Sequence, residues 1–375
     1  MNKKILLLSA YDASSHKLWR ERLATMFPDD DWTQLTLAPR NFNWRIRGNS
    51  LQWGFGEYEQ LDADYDLLIA TSMVDLSSLR GFRPSLAKIP SIVYFHENQF
   101  AYPVGSRQRS DNIEPQLIPI YTALCANSIV FNSEYNRSTF LSGARSLFKK
   151  LPDEIPSELL VKLEKSEVIP VPLAETKTSD EKSGDKNILE VVWNHRWEYD
   201  KGPELLLQLI EFITQQERPI RLHVVGEQFR EMPTEFEQMK TLLHQHADAL
   251  SFKLGKFGFI ASQERYRTLL NSCDIVLSTA LHDFQGLAIQ EACQLGCTPL
   301  VPDALVYPEY LSGDFLYPHL GSAKSTAQHM LDRLMQFHAM KLAEFDLPKA
   351  ELQFYSANNL REKYQSLFSR LTSKQ

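Results

Sequence analysis

The chain has 375 residues, of which 43% are hydrophobic, so it can build two or three domains with substantial cores. Its formal net charge of −7 argues against a generally basic nucleic-acid coat but is compatible with a local basic patch. The four cysteines form no CxxC pair, which indicates buried thiols in a reducing compartment. The first apolar run, Ile5–Ala10, is too short for a signal-peptide core or a membrane span. These features predict a soluble cytoplasmic protein.

Short apolar runs alternate with helical patterns in the first half of the chain. Lys3–Ser9 is a continuous apolar strand of the kind found in parallel sheets covered on both faces, and the helical pattern His16–Met26 follows it. The further predicted strands of this half are Asp66–Ala70, Ser91–Phe95, Ser128–Phe131 and Glu167–Val171. Because strands alternate with helices, the pattern predicts a parallel sheet.

The composition changes at Ala174–Asn187, a polar segment without periodicity that we interpret as an exposed linker. The same alternation then begins again, and the tail Lys349–Ser373 is helical in pattern. The predicted strands of this half are Leu189–Trp193, Ile220–Val225, Ser251–Leu254, Ile275–Ser278 and Thr298–Val301, and the helices are Pro203–Gln215, Thr234–His244, Glu264–Asn271 and Gln285–Leu295.

The predicted fold class is therefore α/β, with two Rossmann-like doubly wound domains whose sheets open onto one central cleft. The domain prediction is a first domain over 1–173, a linker over 174–187, a second domain over 188–348 and a C-terminal helix over 349–375. Neither half contains G-x-G-x-x-G or G-x-x-x-x-G-K-[ST], which disfavours dinucleotide redox and P-loop chemistry.

The loop after the first strand of the second half carries two cations, Arg196 and Lys201. Lys201 comes just before Gly-Pro, a pair that suits the start of a helix. Fixed cations beside a helix N-terminus can clamp a diphosphate and stabilise a departing nucleoside diphosphate. The alternative is that the two cations form surface ion pairs with Glu198 and Asp200.

The segment Leu281–Pro299 has an acid at Asp283 and another at Glu291, eight positions later. Asp283 falls in a predicted strand-to-helix loop, and Glu291 falls inside the helix. Backbone N–H groups of Phe284 to Leu287, with Gly286 among them, would face an anion there, whereas carboxylates suit hydroxyls of a sugar or a ribose. The combination indicates a nucleotide-sugar, and the alternative is an ordinary amphipathic helix with an incidental acid.

Polar residues also follow two strands of the first half. His96 comes directly after Ser91–Phe95, with Glu97 and Asn98 beside it, which places it at the ligand-binding edge of the sheet. Glu97 is a candidate general base, although its side chain should alternate away from that of His96. Ser14 or Ser15 could cap the first helix.

The segment Arg40–Phe55 combines three arginines with aromatic residues and contains no acid. Arginine with aromatic side chains is the usual combination for stacking on bases and holding phosphates. Residues 1–110 hold 13 Lys/Arg and 12 Asp/Glu, so the first part is slightly positive while the remaining 265 residues hold −8. Arg107 and Arg109 add to this pattern. The alternative is a loop or hairpin whose aromatic side chains pack onto their own domain.

The whole chain resembles retaining, family-4-like GT-B glycosyltransferases. Arg196 with Lys201, and the acid-x7-acid element that ends at Glu291, match the donor-site motifs of that superfamily. The first half resembles one narrow subfamily, the tRNA-queuosine α-mannosyltransferases. The matching segments are Ser14–Lys17, Trp44–Asn49, Ala70–Leu76 and Tyr94–Pro103. The resemblance also implies a C-terminal helix that crosses back to the first domain.

The resemblance implies transfer of mannose from GDP-mannose to queuosine at the wobble position of tRNA-Asp, with retention and without a metal or other cofactor. Arg196 and Lys201 would hold leaving-group charge, His96 the transferred sugar, Glu291 ribose hydroxyls and Asp283 sugar hydroxyls. The residues implied in donor binding are Ser15, His16, Asn194, Arg196, Lys201, Asp283, Phe284, Gly286, Leu287 and Glu291. Those implied in tRNA binding are Arg40, Trp44, Arg45, Arg47, Glu97 and Asn98.

Two departures from the family pattern stand out. Asp283 replaces the usual glutamate and has a shorter reach, and Ala13-Ser14 or Ser14-Ser15 stands where the family commonly has Gly-Gly.

Two other functions remain open at this point. One is a glycosyltransferase with a lipid or polysaccharide acceptor, for which a basic amphipathic helix would be expected. The other is a non-catalytic RNA-binding protein on a GT-B scaffold.

Overall fold

A computed structural model of the chain describes residues 2–102, 113–175, 185–246 and 253–373. The backbone divides into two compact units. The first comprises Met1–Ala174 together with Gln353–Gln375, and the second comprises Glu175–Leu352. Each unit contains one six-stranded parallel sheet with helices packed against it.

The sheet of the first unit is parallel throughout, with strand order β2-β1-β3-β4-β5-β6. Its central strands are buried except at Lys4, the first residue of β1, because apolar residues occupy both faces, as expected for a sheet covered on two sides. The strands are β1 (Lys4–Ser9), β2 (Asp31–Thr36), β3 (Leu67–Thr71), β4 (Ser91–Phe95), β5 (Ser128–Phe131) and β6 (Glu167–Val168).

The α-helices of the first unit include the last helix of the chain. They are α1 (Ser14–Met26), α2 (Phe42–Phe55), α3 (Leu76–Phe82), α4 (Glu114–Cys125), α5 (Glu134–Phe148), α6 (Ser157–Glu164) and α12 (Ala357–Thr372). The phenol of Tyr364 on α12 accepts a 3.0 Å hydrogen bond from Trp19 Nε1 and donates one of 2.9 Å to the carbonyl of Pro170. The predicted return of the C-terminal helix to the first domain is therefore present.

The sheet of the second unit has strand order β12-β11-β10-β7-β8-β9 and is again parallel. Its strands are β7 (Leu189–Trp193), β8 (Ile220–Val225), β9 (Lys253–Gly258), β10 (Ile275–Leu277), β11 (Thr298–Pro302) and β12 (Leu316–Tyr317). Its α-helices are α7 (Pro203–Gln215), α8 (Glu235–Gln245), α9 (Gln263–Ser272), α10 (Leu287–Gln294) and α11 (Ala323–Leu342).

Each sheet has a point at which the strand order reverses. In the first unit the chain goes from β1 outward to β2 and returns on the other side at β3. In the second it goes from β7 outward through β8 and β9 and returns on the other side at β10. Ligands of open α/β sheets bind beyond the carboxyl ends of the strands at such a reversal. The loops after β1, β3, β7 and β10 are therefore the expected ligand edges.

Several elements differ from the sequence prediction for physical reasons. β2 was not predicted because it lies at the sheet edge and is mostly polar, with Trp32 and Leu35 as its apolar residues, instead of forming an apolar run. β6 ends at Val168 instead of Val171, and Pro170 lacks the backbone N–H that a longer pairing would need. No element was assigned to Ala323–Leu342, which forms α11. Residues 176–184 of the predicted linker, the first part of the predicted strand Ser251–Leu254, Pro103, Arg107 and Arg109 lie outside the described residues.

The segment Arg40–Phe55 is mostly helix, where a loop or hairpin was the alternative considered. The hydrophobic period of α2 is hidden in the sequence because its buried face includes Arg45, Asn49 and Ser50. Across the described ranges, none of the helices combines the length and the apolar character needed to cross a bilayer.

Candidate active site

Hydrogen bonds join the loops after β7 and β10 at the strand-order reversal of the second unit. Thr279 Oγ1 donates to the Lys201 carbonyl (2.7 Å), and the Leu281 N–H donates to the Asp200 carbonyl (2.8 Å). Gly202 has φ +63°, and a side chain there would collide with the Thr279 backbone. The sequence therefore needs glycine at this position for two reasons, a left-handed backbone and a close approach of the two loops.

Lys201 is buried where these loops meet. Its Nζ donates a 2.7 Å hydrogen bond to the His282 carbonyl and lies 3.1 Å from Asp200 Oδ2. Burial alone would raise the pKa of the Asp200 carboxyl, but its hydrogen bond with His282 and the charge of Lys201 hold that pKa below its ordinary value. The ammonium is thus a fixed charge on the ligand edge of the second unit.

Arg196 is more accessible than Lys201. Its side chain is 44% exposed and pairs with Glu198 at 3.0 Å. Both ion pairs considered as the alternative to a diphosphate clamp are therefore present, although the pair made by Lys201 is buried and is not a surface pair. An ion pair in the absence of ligand does not prevent either cation from binding phosphate.

Asp283 is held by two hydrogen bonds on different oxygens. Tyr307 Oη donates to Oδ2 (3.0 Å), and the Gly286 N–H donates to Oδ1 (3.2 Å). Burial favours the neutral acid, yet the charge of Lys201, the neighbouring His195 and the Tyr307 hydrogen bond lower the pKa of Asp283 below its ordinary value. A carboxylate offers about four lone-pair sites, so an ionised Asp283 keeps acceptor capacity for hydroxyl groups.

His195 is buried between charges of both signs. Burial, together with the charge of Lys201, lowers the pKa of His195 to about 4, against the opposing effect of Asp283 and Asp200. Among the described residues, its Nε2 has no hydrogen-bond partner. At neutral pH this imidazole is therefore uncharged.

Asn194 and Glu291, which are far apart in sequence, come together around Tyr266. Asn194 Nδ2 donates to Tyr266 Oη (2.9 Å) and to the Ala288 carbonyl in α10 (3.0 Å). Burial and the charge of Glu291 raise the pKa of Tyr266 above its ordinary value. The structure thus brings two of the predicted donor-site residues to one place through a tyrosine that the sequence did not single out.

Helix α10 begins two residues later than the predicted helix Gln285–Leu295. Gly286 caps the helix with φ +72°, and Leu287 is its first residue. Phe284 is buried, and its ring packs edge-on against His282 with centroids 4.5 Å apart. Phe284 therefore contributes packing to this loop.

Two histidines stack at the ligand edge of the first unit. The rings of His16 on α1 and His96 after β4 have centroids 4.1 Å apart, and Trp19 lies edge-on to His96 at 4.8 Å. Burial lowers the pKa of both imidazoles, and for His96 the proximity of His16 lowers it further. Within the described ranges, Nδ1 of His16 and Nε2 of His96 are buried and make no hydrogen bond.

The expected cap of α1 by Ser14 or Ser15 is wrong. The N-cap residue is Ala13, which has no side-chain acceptor, and Ser14 is already the first helical residue. Ser15 therefore lies in the first turn, one residue before His16. The first backbone N–H groups of α1 receive no side-chain cap.

Asn98 has an internal structural role. Its Nδ2 donates to Asn136 Oδ1 (2.8 Å) and Thr139 Oγ1 (2.9 Å), and its Oδ1 accepts from the Phe100 N–H (2.9 Å). It is buried, so it organises the loop that carries His96 and Glu97. Glu97 is half-buried, and its charge acts on His16 by opposing the lowering of the histidine pKa.

The arginines of the first unit have different environments. Arg45 is buried and donates to Gln52 Oε1 (3.1 Å), whereas Arg47 forms ion pairs with Asp75 (3.0 Å) and Glu114 (3.2 Å). Arg40 is exposed and forms no ion pair among the described residues. The segment Arg40–Phe55 contains no acid, so its sequence showed no sign of these ion pairs. Both acids come from other segments of the chain.

Comparison with known proteins identifies the family of this chain. Residues 4–173 match the family model described as "tRNA-queuosine alpha-mannosyltransferase N-terminal", and residues 175–331 match "Glycosyl transferases group 1". A tRNA-queuosine alpha-mannosyltransferase of Drosophila melanogaster is 30% identical over 381 residues, covering 98% of this chain and 96% of that protein. The chain belongs to the tRNA-queuosine alpha-mannosyltransferase family.

Solved structures place this family member in the GT-B fold. Anabaena HepE, crystallised with UDP and glucose, superposes with a TM-score of 0.65 at 15% identity, covering 99% of this chain and 100% of HepE. The OtsA apo structure superposes with a TM-score of 0.60 at 12% identity, covering 97% and 99% of the two chains. The predicted family and fold are both confirmed, and the chain is a glycosyltransferase.

Sequence reasoning missed several residues at the ligand edge of the second unit. His195 and His282 stand directly beside predicted residues, so adjacency was an available signal. Tyr266 and Tyr307 carried no such signal, because α9 and the turn after β11 bring them to the loops only in the folded chain. In the described part of the chain, no group of three or more His, Cys, Asp and Glu side chains is placed to hold a metal ion.

Proposed function

We propose that this chain transfers mannose from GDP-mannose to queuosine at the wobble position of tRNA-Asp, with retention at the anomeric carbon. The observation that carries the proposal is the 30% identity over nearly the whole length of the Drosophila protein named tRNA-queuosine alpha-mannosyltransferase. The match of the N-terminal unit to the subfamily model supports the same acceptor. With tRNA as the acceptor, we expect the enzyme in the cytoplasm.

The second unit is proposed to hold the donor. Arg196 and Lys201 would contact the diphosphate, and Lys201 is suited to this because its ammonium is fixed by the His282 carbonyl. Asp283 would accept hydrogen bonds from sugar hydroxyls on its remaining lone pairs. Glu291 would bind ribose hydroxyls. Asn194, Phe284, Gly286 and Leu287 complete the proposed donor residues of this unit, and Ser15 and His16 are the donor contacts proposed for the first unit.

The first unit is proposed to act on the transferred sugar through His96. A buried, uncharged imidazole without a protein hydrogen bond on Nε2 is suited to bind a sugar hydroxyl near the reaction centre. His16 would support the ring from its stacked position. In the bond change, the acceptor oxygen bonds to the anomeric carbon on the face from which GDP departs. The acceptor proton passes to the donor phosphate, and no enzyme carboxylate has to act as nucleophile.

The acceptor is proposed to bind the first unit. Among Arg40, Trp44, Arg45, Arg47, Glu97 and Asn98, three are exposed enough to contact tRNA directly: Arg40, Trp44 and Arg47. Arg45 and Asn98 are buried and would shape the segments that carry their neighbours. We propose that the reaction needs no metal or other cofactor, since fixed cations can stabilise a departing diphosphate.

The test is incubation with queuosine-containing tRNA and either GDP-mannose or UDP-glucose, followed by mass analysis of the nucleosides. We expect a hexose on queuosine with GDP-mannose and not with UDP-glucose. Arg196→Ala should reduce the product, whereas Arg218→Ala should not, because Arg218 is a half-buried arginine before β8, at the opposite edge of the sheet from the donor loops. An unchanged queuosine mass with both donors would refute the proposal and favour a lipid or polysaccharide acceptor or a non-catalytic RNA-binding role.

A further inference from the structure

Helix α2 carries a stripe of exposed apolar side chains. Trp44 is 59% exposed, Leu51 is 45% exposed and Phe55 is 72% exposed. Their spacing of seven and four residues places them on one face of the helix, together with Gly48. The other five tryptophans of the chain are buried or partly buried, so Trp44 differs from all of them.

The indole of Trp44 lies flat over Gly48. A side-chain carbon on Gly48 would come within 2.7 Å of Cζ2 and Nε1 of Trp44, which is closer than such carbons approach other atoms. Glycine is unfavourable inside a helix, and here its missing side chain is what lets the ring rest on the helix backbone. One face of the indole is thereby supported, and the opposite face is open.

Contacts at the beginning of α2 place this ring at the ligand edge of the first unit. Phe42 packs edge-on against Tyr11, which follows β1, with ring centroids 6.1 Å apart. Asn49 Nδ2 donates to the Met73 carbonyl after β3 (3.2 Å), and Asn49 Oδ1 accepts from the Asp75 N–H (3.0 Å). The N-terminal half of α2 is therefore fixed to the loops on both sides of the strand-order reversal.

The surrounding charges favour recognition by the aromatic face. Arg45 is buried and Arg47 is paired with two acids, so Arg40 is the exposed cation of the segment that has no ion pair among the described residues. A supported indole with one open face and a cation four residues earlier in the chain suits an unpaired nucleobase, since every base offers a π-face for stacking. A double helix would offer no such face along its length.

We propose that Trp44 is a stacking platform for an unpaired base of the RNA acceptor and that Gly48 keeps the platform flat. This inference rests on the proposed function, because the base that stacks on Trp44 is taken to belong to the tRNA acceptor. It adds a specific contact, a supporting residue and a mode of recognition that does not depend mainly on charge.

Tryptophan fluorescence provides a direct readout, because Trp44 is the exposed indole of this chain. Queuosine-containing tRNA is titrated into wild type and into Trp44→Phe, and the difference between the two signals reports Trp44 alone. We expect tRNA to quench the difference signal. Trp44→Ala should weaken tRNA binding by about 5- to 150-fold, the range that corresponds to ~1–3 kcal/mol per stacked base. Trp44→Phe should retain most of the affinity, and Gly48→Ala should lower it with the ring still present.

Phe55→Ala is the matched control. Phe55 is an exposed aromatic residue on the same face of α2, eleven residues and about 16 Å from Trp44 along the helix. Its removal should leave tRNA affinity unchanged. If Trp44→Ala and Phe55→Ala both dissociate a dimer in light scattering and neither alters tRNA affinity, the stripe is an interface between copies and the platform is refuted.

Different experimental outcomes would refute the stacking platform and the proposed function. Mannose transfer by the wild type, combined with equal tRNA affinity for wild type and Trp44→Ala, would overturn the platform and leave the proposed function standing. Absence of transfer to any tRNA, combined with quenching of Trp44 and weaker binding by Trp44→Ala, would overturn the proposed function and support the platform.

Discussion

The phenol of Tyr307 donates a 3.0 Å hydrogen bond to Asp283 and also lies 2.8 Å from the hydroxyl of Ser278. Tyr307 thereby fixes Asp283, whose side chain is shorter than that of the glutamate usual at this position of the family pattern. We interpret Tyr307 as a positioning residue that compensates for the shorter reach of Asp283 by holding the carboxylate in one orientation.

We predict that Tyr307→Phe lowers kcat/KM about tenfold. The substitution leaves a buried carboxylate oxygen without its donor, which costs ~1–3 kcal/mol. Steady-state kinetics would measure the loss. Tyr317→Phe is the matched control, because Tyr317 is also buried and donates to the Ser278 carbonyl (2.9 Å) but does not contact Asp283. Equal losses in the two variants would mean that Tyr307 acts only through packing.

We predict that His195 makes stability fall as the pH drops from about 6.5 to about 4. The folded pKa is about 4 and the ordinary value is 6.5, so the unfolded chain takes up a proton in this window while the folded chain does not. The contribution of this pKa difference to the free energy of unfolding is fully present above pH 6.5 and amounts to roughly 3 kcal/mol. Thermal unfolding at a series of pH values should show a shallower decline for His195→Gln than for wild type. His319→Gln, at an exposed histidine, should follow the wild type, and identical curves for all three proteins would contradict the assignment.

We predict that the two cations of the donor loop respond differently to mutation. Arg196→Ala should weaken GDP binding about tenfold without lowering Tm, since charged hydrogen bonds contribute ~1.5–3 kcal/mol and this side chain is half-exposed. Lys201→Met should lower Tm by roughly 10 °C, because breaking a buried ion pair costs ~3–5 kcal/mol. Calorimetric titration and thermal unfolding measure the two effects. Unaltered GDP affinity in Arg196→Ala would exclude a diphosphate contact by that residue.

We predict that His96→Ala lowers kcat about 100-fold and changes GDP affinity less than about twofold. An interaction realised mainly in the transition state affects turnover much more than ground-state binding. Because burial keeps His96 uncharged, kcat of the wild type should not require protonation of this residue at neutral pH. His338→Ala removes a buried histidine of the second unit and serves as control. Normal turnover by His96→Ala would make His96 a structural residue.

The sequence predicted those parts of the molecule whose residue pattern is local. The apolar run of β1 and the span Pro203–Gln215 of α7 agree with the structure to within a residue, because each carries its own periodicity and end signals. Arg196, Lys201 and Asp283 were predicted to lie at the ligand edge because each of them comes in a loop after a predicted strand.

Other features depend on contacts between distant segments and left no local pattern. Arg47 is paired by Asp75 and Glu114, and Asp283 is held by Tyr307, which follows it by 24 residues. The helix α2 was obscured because Arg45 and Asn49 occupy its buried face, where a hydrophobic period would place apolar residues. These features become visible only once the fold brings the partners together.

The return of α12 to the first unit makes that unit discontinuous in sequence, whereas the second unit is continuous. Tyr364 contacts Trp19 and Phe368 packs against Phe27, and both of these partners are synthesised more than 300 residues earlier. During translation the second unit can therefore finish folding while the first still lacks its last helix. The first unit reaches its final packing only when α12 has left the ribosome, so a chain truncated before α12 leaves its N-terminal sheet incompletely covered.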